Sequence, residues 1–221
     1  MKKIFILIII VVASTGEGQA QTLNWRSIDK DQKNLAYFNF GYDFGTTAQL
    51  GYGRLIKVFR PILLGMDYSS PMGKKLTDDF KIRYGAQIEV IERNGFSLTA
   101  KVLGNFRRFE NSLVRITSFG SEFSTVAGYY KTSWHIAAEI GYDKSIISNL
   151  KHSDTMRDIY SEVTDGWYIP TGGHYFYGIQ ASKTLGKSFD ISMRLGMTNA
   201  EKKDENAQMP FYGQLGLIKK F

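Results

Sequence analysis

Two pairs of cations carry the sharpest chemical signal in the sequence. Lys81 and Arg83 lie two residues apart in one segment, and Lys101 and Arg107 share the matching row of the next. If both segments run as neighbouring strands, side chains two apart share a face, and the four cations form a basic strip able to draw in an anion. Glu89, Glu139, Asp190 and Arg194 occupy equivalent polar rows, as do Asp43, Asp67, Glu122, Asp143 and Lys220. Acids and bases on these rows are nearly balanced. Confined charges of both signs are expected to pair and fill the space between them, whereas a selective path would show one sign in excess at its constriction.

A second constellation is His152-Ser153-Asp154 together with Asp78-Asp79. These residue types do hydrolytic chemistry only when their side chains converge, which adjacency in sequence does not ensure. The plain reading is a solvated polar loop. His135 sits on a polar row near Glu122, where a hydrogen-bonded structural histidine is expected rather than a general base. With three scattered histidines and no cysteine, disulfides, thiolate metal sites and catalytic thiols are excluded. No phosphate-binding loop is present, and neither a metal nor a cofactor is expected.

The elements that must hold these residues follow period-2 alternation. From Phe189 to Thr198 the odd positions are Phe189, Ile191, Met193, Leu195 and Met197, and the even ones carry no large apolar group. Phe80 to Ile91, Phe96 to Arg107 and Trp134 to Asp143 divide the same way, with Ile91 as a lone apolar residue on its polar row. Weaker runs cover Leu35 to Tyr42, Thr47 to Leu55, Ile62 to Ser69, Glu122 to Tyr130, Tyr175 to Ser182 and Phe211 to Phe221. This gives ten strands, with eight as the alternative count.

Short links (Ile56 to Pro61, Glu92 to Gly95, Lys131 to Ser133, Lys183 to Ser188) alternate with longer ones (Ser70 to Asp79, Glu110 to Ser121, Lys144 to His174, Asn199 to Pro210). The longest has room for a short helix or for a fold over a barrel mouth. Lys2 and Lys3 precede ten apolar residues, Ile4 to Ala13, and the small-x-small run Gly18-Gln19-Ala20, which reads as a signal peptide over 1–20 cleaved after Ala20. Ten residues rise only about 15 Å as a helix, short of a retained anchor. The mature domain is then 21–221, and losing Lys2, Lys3 and Glu17 takes the formal charge from +7 to +6.

The final strand, with Leu215, Leu217 and terminal Phe221 on one face, resembles the C-terminal strand of bacterial outer-membrane β-barrels. That resemblance implies an all-β, transmembrane, antiparallel up-and-down barrel with short periplasmic turns and long outer loops. It also implies location in the cell outer membrane, contact with outer-membrane lipids, and Phe221 as the signal read by the barrel-assembly machinery. A soluble β-sandwich or lipocalin-like barrel would also alternate.

Within the barrel reading the apolar rows face lipid, and inward glycines such as Gly51, Gly141 and Gly178 are expected to permit tight curvature. The basic excess collects on the short-turn rim (Arg54, Lys57, Arg60, Arg93, Lys131, Lys183, Lys187, Lys219, Lys220), suiting acidic headgroups or a periplasmic or envelope partner. Nucleic acid does not suit an exported chain with no basic helix or stacking platform. Three functions stay open: a structural or interaction barrel, a narrow porin-like channel for small solutes lined by the eight charged residues named first, and an outer-membrane enzyme acting on lipid or peptide at the outer rim.

Overall fold

The computed structural model describes residues 23–73, 75–170, 172–201 and 209–221. The signal peptide over 1–20 and its cleavage point lie outside the described residues.

Eleven strands follow in order: β1 (Asn34–Tyr42), β2 (Thr46–Lys57), β3 (Pro61–Pro71), β4 (Asp79–Arg93), β5 (Phe96–Glu110), β6 (Val114–Lys131), β7 (Trp134–His152), β8 (Gly166–Tyr168), β9 (His174–Leu185), β10 (Phe189–Ala200) and β11 (Phe211–Lys220). A 3₁₀ turn, Trp25–Ser27, precedes them, and one helix, α1 (Asp154–Ile159), lies between β7 and β8. Each long strand pairs antiparallel with its neighbour, and β1 pairs with β11 from Leu35↔Lys220 to Tyr42↔Gly213, so the sheet closes. Ten strands form the wall. β8 is a three-residue addition at the edge of β7.

Adjacent residues show which side faces out. Gln49 is 0% exposed and Leu50 62%, while Glu139 is 4% exposed and Ile140 63%. Phe38, Tyr52, Met66, Tyr84, Val102, Ile179, Ile191 and Leu217 continue the exposed apolar surface around the cylinder. A soluble protein does not expose an apolar band of this extent, and a soluble barrel would carry its apolar rows inside. The chain is therefore a transmembrane β-barrel, in which closure leaves no unpaired sheet edge within the lipid. Lys219 points outward within this surface at the short-turn end, its ammonium 5.8 Å from the Phe189 ring centroid, so its stem lies along the apolar surface and its charge reaches the rim.

The β4–β5 turn is set by its sequence. Asn94 (φ 50) and Gly95 (φ 91) both take positive φ between the paired residues Arg93 and Phe96, the requirement of the type I′ turn that joins right-twisted strands.

Three stretches differ from the alternation reading. The link expected over Glu110 to Ser121 shrinks to residues 111–113, and the first part of Lys144 to His174 is strand, because β6 and β7 stay paired up to Val114↔His152. A register shift at Phe119/Gly120 inserts a residue in β7, reversing which residues face inward, so a strict two-residue count stops there. A second shift, between Glu89 and Ile91, explains the lone Ile91: beyond it Ile91 turns outward and is 47% exposed. What remains of the long loop contains α1, capped by the Ser153 side chain, which accepts from the Met156 N–H.

Candidate functional site

The lumen holds the chemistry, in three levels. At the long-loop end is an open vestibule of about 310 Å³, lined by Asp43, Phe44, Lys81, Asn105, Arg107, Asp143, Ser145, Ser148, Pro170, Gly172 and His174. Lys81 Nζ is 3.2 Å from Asp143 Oδ2, and Asn105 Nδ2 donates to Asp143 Oδ1 at 2.8 Å. Arg107 Nε is 3.6 Å from Asp79 Oδ1, and the Arg107 guanidinium lies 4.5 Å from the Phe44 ring centroid.

At mid-height the lumen is almost filled. Arg83, wholly buried, donates from Nε to Asp67 Oδ1 at 2.9 Å and from Nη1 to Asp43 Oδ2 at 3.3 Å. Tyr37 OH donates to the other Asp67 oxygen at 3.2 Å. On the opposite wall, Glu139 accepts from Tyr212 OH and from Gln180 Nε2 and pairs with Arg194 Nε. The Arg194 guanidinium is held near two rings, 4.7 Å from Tyr212 and 5.7 Å from Phe176. The space left beside Arg83 and Lys101 is about 20 Å³, room for a single water.

The short-turn end is stoppered by a segment that is not part of the wall. Leu23, Asn24, Trp25 and Ser27 enter the barrel and are buried, with Leu23 and Trp25 packed among Leu35, Leu55, Leu63, Val126, Tyr130, Ala137 and Ile218. Trp25 Nε1 donates to Thr99 Oγ1 at 2.9 Å, and Asn24 Nδ2 to the Lys131 carbonyl at 2.9 Å. Lys220 Nζ donates to the Ser27 carbonyl at 2.9 Å, to Ser27 Oγ at 2.7 Å and to Asp190 Oδ1 at 2.9 Å. Ser27 Oγ also lies 3.2 Å from Asp190 Oδ2. Lys220, which the sequence places both on a lumenal row and with the basic rim, is 1% exposed and points inward.

All eight charged residues singled out in the sequence face the lumen. The cation strip does not form as expected: Lys81 stands opposite Arg107, but Arg83 pairs with Asn105 and Lys101 with Gln87, and carboxylates sit against Lys81, Arg83 and Arg107. Glu89 accepts from Ser97 Oγ at 2.6 Å, near the stopper.

The inward glycines serve close approach. A Cβ at Gly51 would lie 2.1 Å from Tyr37 Cζ, and one at Gly196 2.3 Å from Tyr212 Cζ, so these positions make room for rings that fill the lumen. Those inward aromatics, and the whole stopper, were missed by alternation counting. Their signal is the apolar content of nominally polar rows: Leu35 and Tyr37 on β1, Phe176 on β9, and Tyr212 and Ile218 on β11.

His135 Nδ1 lies 2.7 Å from Ser182 Oγ, and its ring stacks on Tyr130 at 4.6 Å, a structural placement. His152 Nδ1 lies 3.0 Å from Asp165 Oδ1, whereas Asp79 is buried and pairs with Arg107. The residues weighed for hydrolysis are therefore in different settings. No group of three His, Asp or Glu among the described residues is placed to hold a metal ion.

No protein-family model matches the chain, and no curated protein matches it. Among solved structures it is similar to the KdgM porin, with 9% identity, 85% of this chain and 99% of that chain covered, and a TM-score of 0.44. It is also similar to the KdgM porin in complex with disordered oligogalacturonate, at 9% identity, 86% and 98% covered, and a TM-score of 0.39. A mutant Rh. blastica porin gives 8% identity, 86% and 98% covered, and a TM-score of 0.21. At these scores the likenesses carry no argument; the barrel is read from its own strand pairing and outward apolar band.

Proposed function

We propose that the protein is a narrow, porin-like channel for small solutes in the outer membrane, shut in this conformation by its own N-terminal segment. The observation that carries this reading is the charged lumen, which runs from an open vestibule down to a stopper held by side-chain contacts rather than built into the wall. Burying ion pairs is costly, and a barrel serving only as a scaffold could be filled with apolar side chains instead. The charged side chains define a polar path, and opening it requires movement of Leu23–Ile28 and rearrangement of the pairs around Arg83 and Glu139.

Export by the signal peptide over 1–20 and insertion through the strand ending at Phe221 fit this reading, as do lipid contacts at the basic rim. Proteoliposome swelling with small sugars and amino acids tests it. The mature chain is expected to admit such solutes slowly, and a variant lacking residues 23–31 at least tenfold faster. Equal exclusion by both would favour the structural or interaction barrel.

A further inference from the structure

The outer surface from β3 through β8 carries a feature independent of the lumen. Five aromatic rings form an outward ladder near the long-loop end. Tyr68 stacks on Phe80 (5.5 Å), Phe80 meets Phe106 (5.8 Å), Phe106 meets Phe119 (5.1 Å), and Phe119 meets Trp167 (6.4 Å). Aromatic rows of this kind sit at the headgroup level of a bilayer.

Directly beyond the ladder, on the same face, stand cations. Arg108 follows Phe106 by two residues, about 7 Å along the strand. Arg115 lies four residues beyond Phe119 toward the loops, pairing with Glu110 across β5–β6 and with Lys151 across β6–β7. Beside them opens a groove of about 420 Å³ lined in part by Arg115, Lys151, His152 and Arg157.

Local carboxylates orient three of these four cations. Glu110 accepts from both Arg108 and Arg115, Asp165 from Arg157 at 2.7 Å, and Asp154 lies 3.5 Å from Arg157. Lys151 is exposed and makes no ion pair among the described residues. The outward rows of β10, β11, β1 and β2 reach the same rim at Asn199, Phe211, Tyr42 and Thr46, with no cation. Among the described residues of these strands the cations thus lie on the β5–β7 side, at the depth where lipid phosphates lie.

The geometry points to a binding surface for a phosphorylated lipid headgroup of the outer leaflet, with Arg108, Arg115 and Lys151 meeting phosphate above the Phe106–Phe119–Trp167 ladder. Charge complementarity and depth both select this occupant. Each cation at a membrane surface contributes on the order of a several-fold change in affinity, and three together well over tenfold.

The test uses the full mature chain in detergent or nanodiscs, titrated with a bisphosphorylated diglucosamine lipid, with its dephosphorylated form and with inorganic phosphate. The wild type is expected to bind the phosphorylated lipid at least tenfold more tightly than the dephosphorylated one. The triple variant R108Q/R115Q/K151Q is expected to lose that preference while keeping its heat-dependent gel shift. Lys151→Gln alone, at an exposed position with no ion pair, gives a several-fold loss if the triple variant does not fold. Equal binding of both lipids, or unchanged binding by the variants, overturns the proposal. Binding of inorganic phosphate as tightly as the lipid would make the groove a small-anion site and overturn it too. None of these results depends on whether the lumen conducts.

Discussion

The two ends of the lumen solve the same problem differently. At the long-loop end, Lys81, Arg107, Asp79 and Asp143 pair around a vestibule that stays open, and the partly exposed Arg107 keeps contact with water. At the short-turn end, Lys220 and Asp190 are both buried without access to solvent and hold Ser27 of the N-terminal segment, which packs Leu23 and Trp25 into an apolar cluster. The outer pairs are only partly withdrawn from solvent, and water reaching Arg107 and Asp143 screens them. Buried pairs are strongly coupled, since removing one partner strands the other. The outer end is thus adjustable, and the inner end behaves as a latch.

This contrast sets the order of expected effects. Lys220→Met leaves the Asp190 carboxylate buried and removes both bonds to Ser27; urea unfolding in lipid should show a loss of about 3–5 kcal/mol, unless Asp190 is neutralised at the same time. The double variant K220M/D190N should recover most of that loss, and failure to recover would mean that the pair is not the coupling element. Trp25→Ala removes a buried indole and its bond to Thr99, and should cost about 3 kcal/mol. It should also expose residues 23–31 to protease from the short-turn side, a readout absent if the segment were firmly part of the wall. Arg107→Gln at the open end removes a partly exposed guanidinium from the buried Asp79 carboxylate and should cost about 1–2 kcal/mol, less than either change at the inner end.

The smallest effect lies at the β5–β6 tip, above the hydrocarbon layer. The Arg115 and Arg108 guanidiniums hydrogen-bond the Glu110 carboxylate and hold it down at about 2. A carboxylate held low adds stability above its ordinary titration range and loses it as pH falls through the lowered value. The β5–β6 tip should therefore remain ordered at pH 4 and loosen toward pH 2, and Arg115→Gln should move that loosening upward. Carboxyl-carbon NMR of Glu110 checks both.

Much of the wall was legible because a two-residue period is enforced wherever one side meets lipid and the other a polar lumen. Phe189 to Thr198 shows this without exception, and the closed ten-strand count followed. The bulges at Glu89/Ile91 and Phe119/Gly120 were not legible, since one inserted residue reverses the period and leaves only an oddity such as Ile91 behind. The candidate charges lie on the inward face, yet their partners depend on strand register: Arg83 meets Asp67 and Asp43 rather than extending a cation strip. The stopper was hidden for another reason. Leu23–Ile28 is too short to show any period, and its burial depends on contacts with residues far away in sequence, such as Thr99, Asp190 and Lys220.

The central claim is that the N-terminal segment closes a polar path. Planar-bilayer recording of the mature chain beside a variant lacking residues 23–31 tests it most directly. A closed or rarely opening wild type and steady, small, ohmic steps from the variant are the predicted result. If the variant is as silent as the wild type while retaining its heat-dependent gel shift, the ion pairs around Arg83 and Glu139 seal the barrel by themselves, and the segment is not its gate.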